Sequence, residues 1–119
     1  MVFDPTAAPR DSDEFMAWYD AQTQWTEGHS YDDPAVCTPA LQAWYHDMRA
    51  SFPPMNGPYR SEQDDSTVTD FSIGRYVIYA AFAWSVAETA YAQMRELAAK
   101  HAVGFFDISG SDSEIVFPT

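Results

Sequence analysis

The chain has 119 residues, of which 46% are apolar and 16% aromatic, so it has the size and apolar content of one domain with a real core. Its 18 acidic and 6 basic residues give a formal net charge of −12, a field that repels nucleic acid and anionic membrane surfaces. No apolar run approaches the roughly 20 residues of a membrane span, and the N-terminus lacks a signal peptide, so we expect a cytoplasmic protein.

A first helix is predicted after a short strand at residues 2–5. Asp11 and Glu14 have the spacing of a capping box, so the helix should start there and run to about Thr26. Its apolar positions recur at helical spacing and define one buried face. These positions are Phe15, Trp18, Tyr19 and Trp25.

A second helix follows a loop at residues 27–37. Thr38 and Pro39 have the form of a helix start, with a hydroxyl N-cap and a proline in the first turn, and Pro53 stops the helix. Its apolar face comprises Leu41, Trp44, Tyr45, Met48 and Phe52. Residues 55–68 then form a long loop that we expect to be mobile.

The middle of the chain predicts a β-hairpin. Phe71 and Ile73 alternate with polar residues, as in a strand with one buried face. Gly74 and Arg75 fit a tight hairpin turn. Residues 76–82 are rich in β-branched and aromatic residues, and predict a largely buried second strand.

A third helix is predicted to begin at a second capping box, formed by Ser85 and Glu88. Its last turn carries Lys100 and His101, where cations suit the helix macrodipole. The residues expected to be buried are Ala87, Ala90, Tyr91, Met94, Leu97 and Ala98.

The chain closes with two predicted strands, at residues 103–108 and 114–117, joined by a turn at residues 109–113. The order of elements is therefore β-α-α-β-β-α-β-β. The natural packing is a single two-layer α+β domain, with the helices on one face of a mainly antiparallel sheet.

Linear motifs of catalysis and phosphate binding are missing from the sequence. It contains no GxGxxG, no GxxxxGK[ST] and no GxSxG. Its histidines, His29, His46 and His101, lie on different predicted elements and lack metal-ligand spacing. The one cysteine, Cys37, excludes a disulfide within the chain and favours a packing role. We therefore expect no enzyme, cofactor or metal, although a site assembled from distant residues stays open.

The strongest polar cluster lies between the first two helices. A histidine beside carboxylates suits acid–base chemistry or a metal, whereas an Asx-type turn ahead of Pro34, with a solvated His29, is the plainer alternative. A third interpretation is a partner-binding loop. The candidate residues of this loop are Trp25, Glu27, His29, Tyr31, Asp32 and Asp33.

A second set of candidates lies in the long loop. One interpretation is an acidic arm that docks on a basic surface, and the alternative is a solvated insert. The candidate partner-binding residues here are Tyr59, Glu62, Asp64 and Asp65.

Several short segments are similar to those of a known group of proteins. They are Val2-Phe3-Asp4-Pro5, Phe52-Pro53, Phe82-Ala83-Trp84-Ser85 and the closing segment from Leu97 to Asp107. With these segments and its order of elements, the chain resembles small bacterial α+β proteins found near polymorphic toxins, many of them toxin immunity proteins. The resemblance implies tight binding and inhibition of a cognate toxin.

Three hypotheses follow for the function. The first is an immunity-type inhibitor that binds a basic protein, which predicts an acidic surface with one or two exposed aromatic residues. The second is a small enzyme or a ligand- or metal-binding protein that uses loop 27–33, with His29 and Asp32 or Asp33 in one pocket. The third is a homodimer formed through the aromatic helix faces. For the acidity itself, the alternative to partner binding is that it only keeps the protein soluble.

Overall fold

The computed structural model describes residues 1–107 and 114–118. The predicted α+β class and the order of elements are confirmed. Short 3-10 helices at Pro34–Val36 and Trp84–Val86 precede the second and third α-helices. The elements are β1 (Val2–Phe3), α1 (Ser12–Gln22), α2 (Pro39–Met48), β2 (Asp70–Ile73), β3 (Val77–Ala81), α3 (Ala87–His101), β4 (Gly104–Asp107) and β5 (Glu114–Val116).

The strands form one antiparallel sheet in the order β2-β3-β1-β4-β5. The shortest strand, β1, lies at the centre, where Val2 pairs with Ile78 on one side and with Phe105 on the other. The chain therefore returns twice to its own beginning to complete the sheet. No helix within residues 1–107 and 114–118 is long and apolar enough to cross a membrane.

The sheet has a core on each face, which corrects the predicted two-layer arrangement with all helices on one face. The core against α2 and α3 contains the strand residues Val2, Ile78 and Phe105. The opposite core, against α1, contains Phe3, Val77 and Phe106. Neighbouring residues of a strand point to opposite faces, so three pairs of consecutive apolar residues require a cover on both sides. Helix α1 supplies the second cover.

Helix α1 begins as predicted but ends earlier. The Asp11 carboxylate accepts a hydrogen bond from the Glu14 backbone N–H at 3.0 Å, as expected for this N-cap. The predicted end near Thr26 is wrong, because Trp25 has a left-handed φ of 55° that breaks the helical repeat. The helix ends at Gln22.

The capping predictions for the other two helices need correction. Pro39 lies in the first turn of α2 as predicted, but the Thr38 hydroxyl makes no capping hydrogen bond. The helix ends at Met48, four residues before Phe52, and the chain continues through turns to the prolines. The second capping box is absent, because Ser85 lies inside a 3-10 helix and Val86 is the N-cap of α3.

The predicted hairpin is confirmed, with a longer turn than expected. Ile73 pairs with Ile78, so four residues separate the paired positions. The Gly74 N–H donates to the Val77 carbonyl at 2.9 Å and closes the turn.

Backbone segments from both predicted loops cover the outer edge of β2. Thr69 donates to the Pro53 carbonyl and accepts from the Met55 N–H, both at 2.9 Å. The Ile73 N–H donates to the carbonyl of Tyr31 at 2.8 Å. An exposed strand edge invites pairing with other chains, so these contacts protect the sheet.

The mobility predicted for residues 55–68 stays a prediction, and the turn predicted at 109–113 lies outside the described residues.

Candidate functional site

The loop between α1 and α2 holds His29 in a defined ionic contact. Its Nε2 lies 2.6 Å from Glu27 Oε1, and its Nδ1 lies 2.7 Å from the carbonyl oxygen of Ser30. Both partners are hydrogen-bond acceptors, so both ring nitrogens must carry a proton. The hydrogen bond to Ser30, followed by that to Glu27, raises the pKa of His29 above its ordinary value. The geometry therefore favours the imidazolium cation.

The β2–β3 turn positions the Glu27 carboxylate. Oε1 accepts a hydrogen bond from the Arg75 backbone N–H at 3.0 Å, in addition to the one from His29. A Cβ at Gly74 would lie 3.3 Å from Oε2, so the small residue lets the carboxylate approach the turn closely. At its own backbone, the Glu27 N–H donates to the Tyr31 hydroxyl at 2.6 Å. The acid and the histidine thus form one unit with the hairpin.

Aromatic rings pack beside this unit. The Tyr31 ring lies edge-on to Trp25 with ring centroids 5.2 Å apart, and its centroid is 4.6 Å from that of His29. Gly28 has a φ of 84°, a conformation that glycine adopts without strain, and it permits the tight bend between Glu27 and His29. Four predicted candidates, namely Trp25, Glu27, His29 and Tyr31, are therefore brought together.

An open cavity of about 700 Å³ lies next to the Glu27–His29 pair. Its walls come from the end of α1, the loop, the start of α2 and the hairpin turn. Cys37 also lines it, but burial raises the pKa of this thiol to about 12, so it is no nucleophile at neutral pH. The lining residues are Gln22, Glu27, His29, Val36, Cys37, Thr38, Pro39, Arg75 and Tyr76.

Asp32 and Asp33 do not join His29, contrary to the pairing expected under the second hypothesis. They line a separate depression of about 420 Å³ together with Arg60. The Asp33 carboxylate accepts from the Ala35 N–H at 2.9 Å and caps the 3-10 helix, which is the predicted turn role. Across residues 1–107 and 114–118 no group of three or more His, Cys, Asp or Glu side chains is placed to hold a metal ion.

Tyr59 folds back onto α2 instead of extending into solvent. The guanidinium of Arg49 lies 4.4 Å from its ring centroid, and the ring meets His46 edge-on at 5.0 Å. His46 in turn accepts a hydrogen bond from Arg49 Nε at 2.9 Å when its Nδ1 is unprotonated. Tyr59 nevertheless keeps 40% of its surface exposed.

The acids of the long loop have different surroundings. Asp65 accepts hydrogen bonds from the hydroxyl and backbone N–H of Thr67, which hold the pKa of its carboxyl below the ordinary value. Glu62 and Asp64 are exposed. The hydrogen bonds and ion pairs of the described residues join none of these acids to Glu27 or His29.

The most exposed aromatic residue is one that the candidate set omitted. Trp84 has 95% of its surface accessible, although its position before a helix suggested a capping segment. The sequence held one signal of this exposure. Trp84 lies between alanine and serine in the connection from β3 to α3, and it belongs to no helical or strand pattern of apolar residues.

Searches against family models, curated proteins and solved structures gave no match to this chain.

Proposed function

We propose that the protein is an acidic protein-binding module, an immunity-type inhibitor that binds a basic bacterial toxin. The observation that carries the proposal is the 95% exposure of Trp84. Covering an apolar side chain of this size contributes on the order of 2–3 kcal/mol. Tryptophan is also enriched among the few residues that dominate binding energy at protein interfaces.

The backbone around Trp84 is well supported. The indole projects from a 3-10 helix in which the Val86 N–H donates to the Ala83 carbonyl at 3.1 Å. Two residues earlier, the Phe82 ring packs edge-on against Phe52 and Tyr91, with centroids 5.4 Å and 5.6 Å away. A side chain on a rigid support loses less conformational entropy when a partner binds, which favours an anchor role.

Carboxylates flank the connection that carries Trp84. Asp70 is exposed and pairs with Ala81 across the β2–β3 ladder, and Glu88 is exposed in the first turn of α3. The ion pairs found among the described residues engage neither of them. An apolar anchor with uncompensated negative charge beside it complements a basic protein surface.

The charge of the whole chain agrees with such a partner. The 18 acids outnumber the 6 basic residues threefold, so the chain keeps a large excess of negative charge. Toxins that act on nucleic acid tend to be basic, so a negative field speeds the encounter with them.

Substitution of Trp84 by alanine tests the proposal. The partner to use is the purified product of a neighbouring toxin gene, with binding rates measured by surface plasmon resonance, and a genome with no such gene nearby would count against the proposal. We expect Trp84→Ala to weaken binding at least tenfold, which corresponds to about 1.4 kcal/mol or more. The association rate of the unsubstituted protein should fall as salt is raised.

Met16→Ala is the matched control, because Met16 is an exposed apolar residue, 39% accessible, on α1. We expect it to bind like the unsubstituted protein, and both variants to unfold within about 0.5 kcal/mol of it. Equal affinity of the two variants for the toxin, or no protection of cells that express the toxin, would contradict the proposal.

A further inference from the structure

The cavity beside the Glu27–His29 pair has an unusual charge for so acidic a protein. Its lining residues include two cations, His29 and Arg75, and one acid, Glu27. The ion pairs of the described residues do not include Arg75, whose guanidinium carbon lies 5.4 Å from the ring centroid of Tyr76. A net positive concavity therefore lies in a chain of formal charge −12.

The single carboxylate of the cavity is already engaged. Glu27 Oε1 accepts hydrogen bonds from the His29 ring and from the Arg75 backbone N–H. Its charge therefore holds the imidazolium in place, whereas no hydrogen bond or ion pair among residues 1–107 and 114–118 engages the Arg75 guanidinium. A guanidinium presents several N–H groups in a planar fork that matches a carboxylate or a phosphate.

The rest of the lining offers apolar and aromatic surface. Val36, Pro39 and Tyr76 are among the residues that line it, and the volume of about 700 Å³ lies within the range of roughly 300–1,000 Å³ typical of small-molecule sites. The site also joins segments far apart in sequence, from Gln22 to Tyr76. Such convergence of a few polar groups in an apolar setting is typical of ligand pockets.

We infer that this cavity binds a small organic anion, with the Arg75 guanidinium on its carboxylate or phosphate group and Tyr76 and Val36 against its apolar part. A metal cation is disfavoured there by the two positive side chains. The second depression, lined by Asp32, Asp33 and Arg60, has more acidic than basic residues. It therefore serves as a comparison within the same protein for the binding of anions.

The test is an NMR titration of the full chain, in separate arms, with benzoate and with inorganic phosphate. Benzoate should give saturable shifts at the backbone amides of Arg75 and Tyr76 and at the His29 ring. Arg75→Gln should weaken binding about tenfold or more, as expected for loss of a charged hydrogen bond. Arg60→Gln is the matched control, because it removes the same charge from the other depression, and it should bind like the unsubstituted protein.

The arms separate the two anion chemistries. Saturation by benzoate supports a carboxylate ligand, and saturation by phosphate alone supports a phosphate-bearing one. No saturable shift in either arm, or equal weakening by Arg75→Gln and Arg60→Gln, would overturn the inference. His29→Gln is a second variant that should weaken binding through loss of the other cation.

Failure here is distinguishable from failure of the proposed function. Arg75 lies two residues before the start of β3, and Trp84 lies three residues after its end, so the two sites lie at opposite ends of one element. Trp84→Ala should bind benzoate normally, and Arg75→Gln should bind the toxin with normal affinity.

Discussion

At the scale of single residues, hydrogen bonding decides the charge of His29. Two acceptors face its two ring nitrogens, and one of them is itself held by a backbone N–H from a distant turn. A histidine so placed is a cation at a pH where a solvated one is largely neutral. The carboxylate that forms a hydrogen bond with His29 is that of Glu27, two residues before it, and not that of Asp32 or Asp33.

Removing the charge of Glu27 should lower the pKa of His29. We expect Glu27→Gln to move it toward its ordinary value, measured by following the ring resonances of His29 against pH. Because the folded-state pKa is raised, any stabilisation is present below the ordinary pKa and is lost as pH rises through the raised one. Asp32→Asn is the control and should leave the pKa of His29 unchanged. An equal drop of this pKa in both variants would refute the pairing of His29 with Glu27.

At the scale of elements, one carboxylate joins α2 to α3. Asp47 Oδ2 accepts hydrogen bonds from Lys100 Nζ at 2.9 Å and from His101 Nε2 at 2.6 Å. Both donors lie in the last turn of α3, as the sequence predicted, where the helix macrodipole favours cations. The hydrogen bonds from Lys100 and then His101 hold the pKa of Asp47 below its ordinary value.

Loss of this contact should show a defined pH dependence. We expect Asp47→Asn to unfold at a lower temperature than the unsubstituted protein at neutral pH. Since the folded-state pKa is depressed, the stabilisation is present above the ordinary carboxyl pKa and disappears as pH falls through the lowered one. The two thermal denaturation curves should therefore converge in acid. Asp13→Asn, on the exposed side of α1, is the control. A difference in unfolding temperature between Asp47→Asn and the unsubstituted protein that stays constant at every pH would argue against the ion pair.

At the scale of the whole molecule, the two cores meet through the central strand. Phe3 is fully buried in the core under α1, and its ring lies over Gly104, its partner residue on β4. A Cβ at Gly104 would overlap that ring. The glycine is therefore required by close packing between neighbouring strands.

Substitution of this glycine should destabilise the fold. We expect Gly104→Ala to cost about 3 kcal/mol, because the Phe3 ring is fully buried among the rings of Phe15, Trp18 and Phe117 and overpacking a core costs roughly 1–3 kcal/mol or more. Gly28→Ala is the comparison: its Cβ would meet nothing within 4 Å, so only its left-handed φ opposes it, at about 1 kcal/mol. Urea denaturation measures both, and equal costs would contradict this account of the packing.

Local patterns in the sequence were enough to determine the α+β class, the order of the elements and the N-cap at Asp11. Helical spacing, strand alternation and capping depend on residues within a few positions of each other, so they can be recognised without the fold. The consecutive apolar pairs, such as Val2 and Phe3, also held the signal that both faces of the sheet are covered.

Only the tertiary structure decided which acid pairs with His29 and which cavity this pair lines. It also decided which aromatic residue is exposed to solvent. The Arg75 N–H that holds Glu27 is 48 residues away along the chain. Trp84 is exposed and other aromatic residues fill the two cores, which the neighbours of Trp84 in the sequence do not reveal. Such features depend on contacts between distant segments, and these exist only once the sheet has brought the segments together.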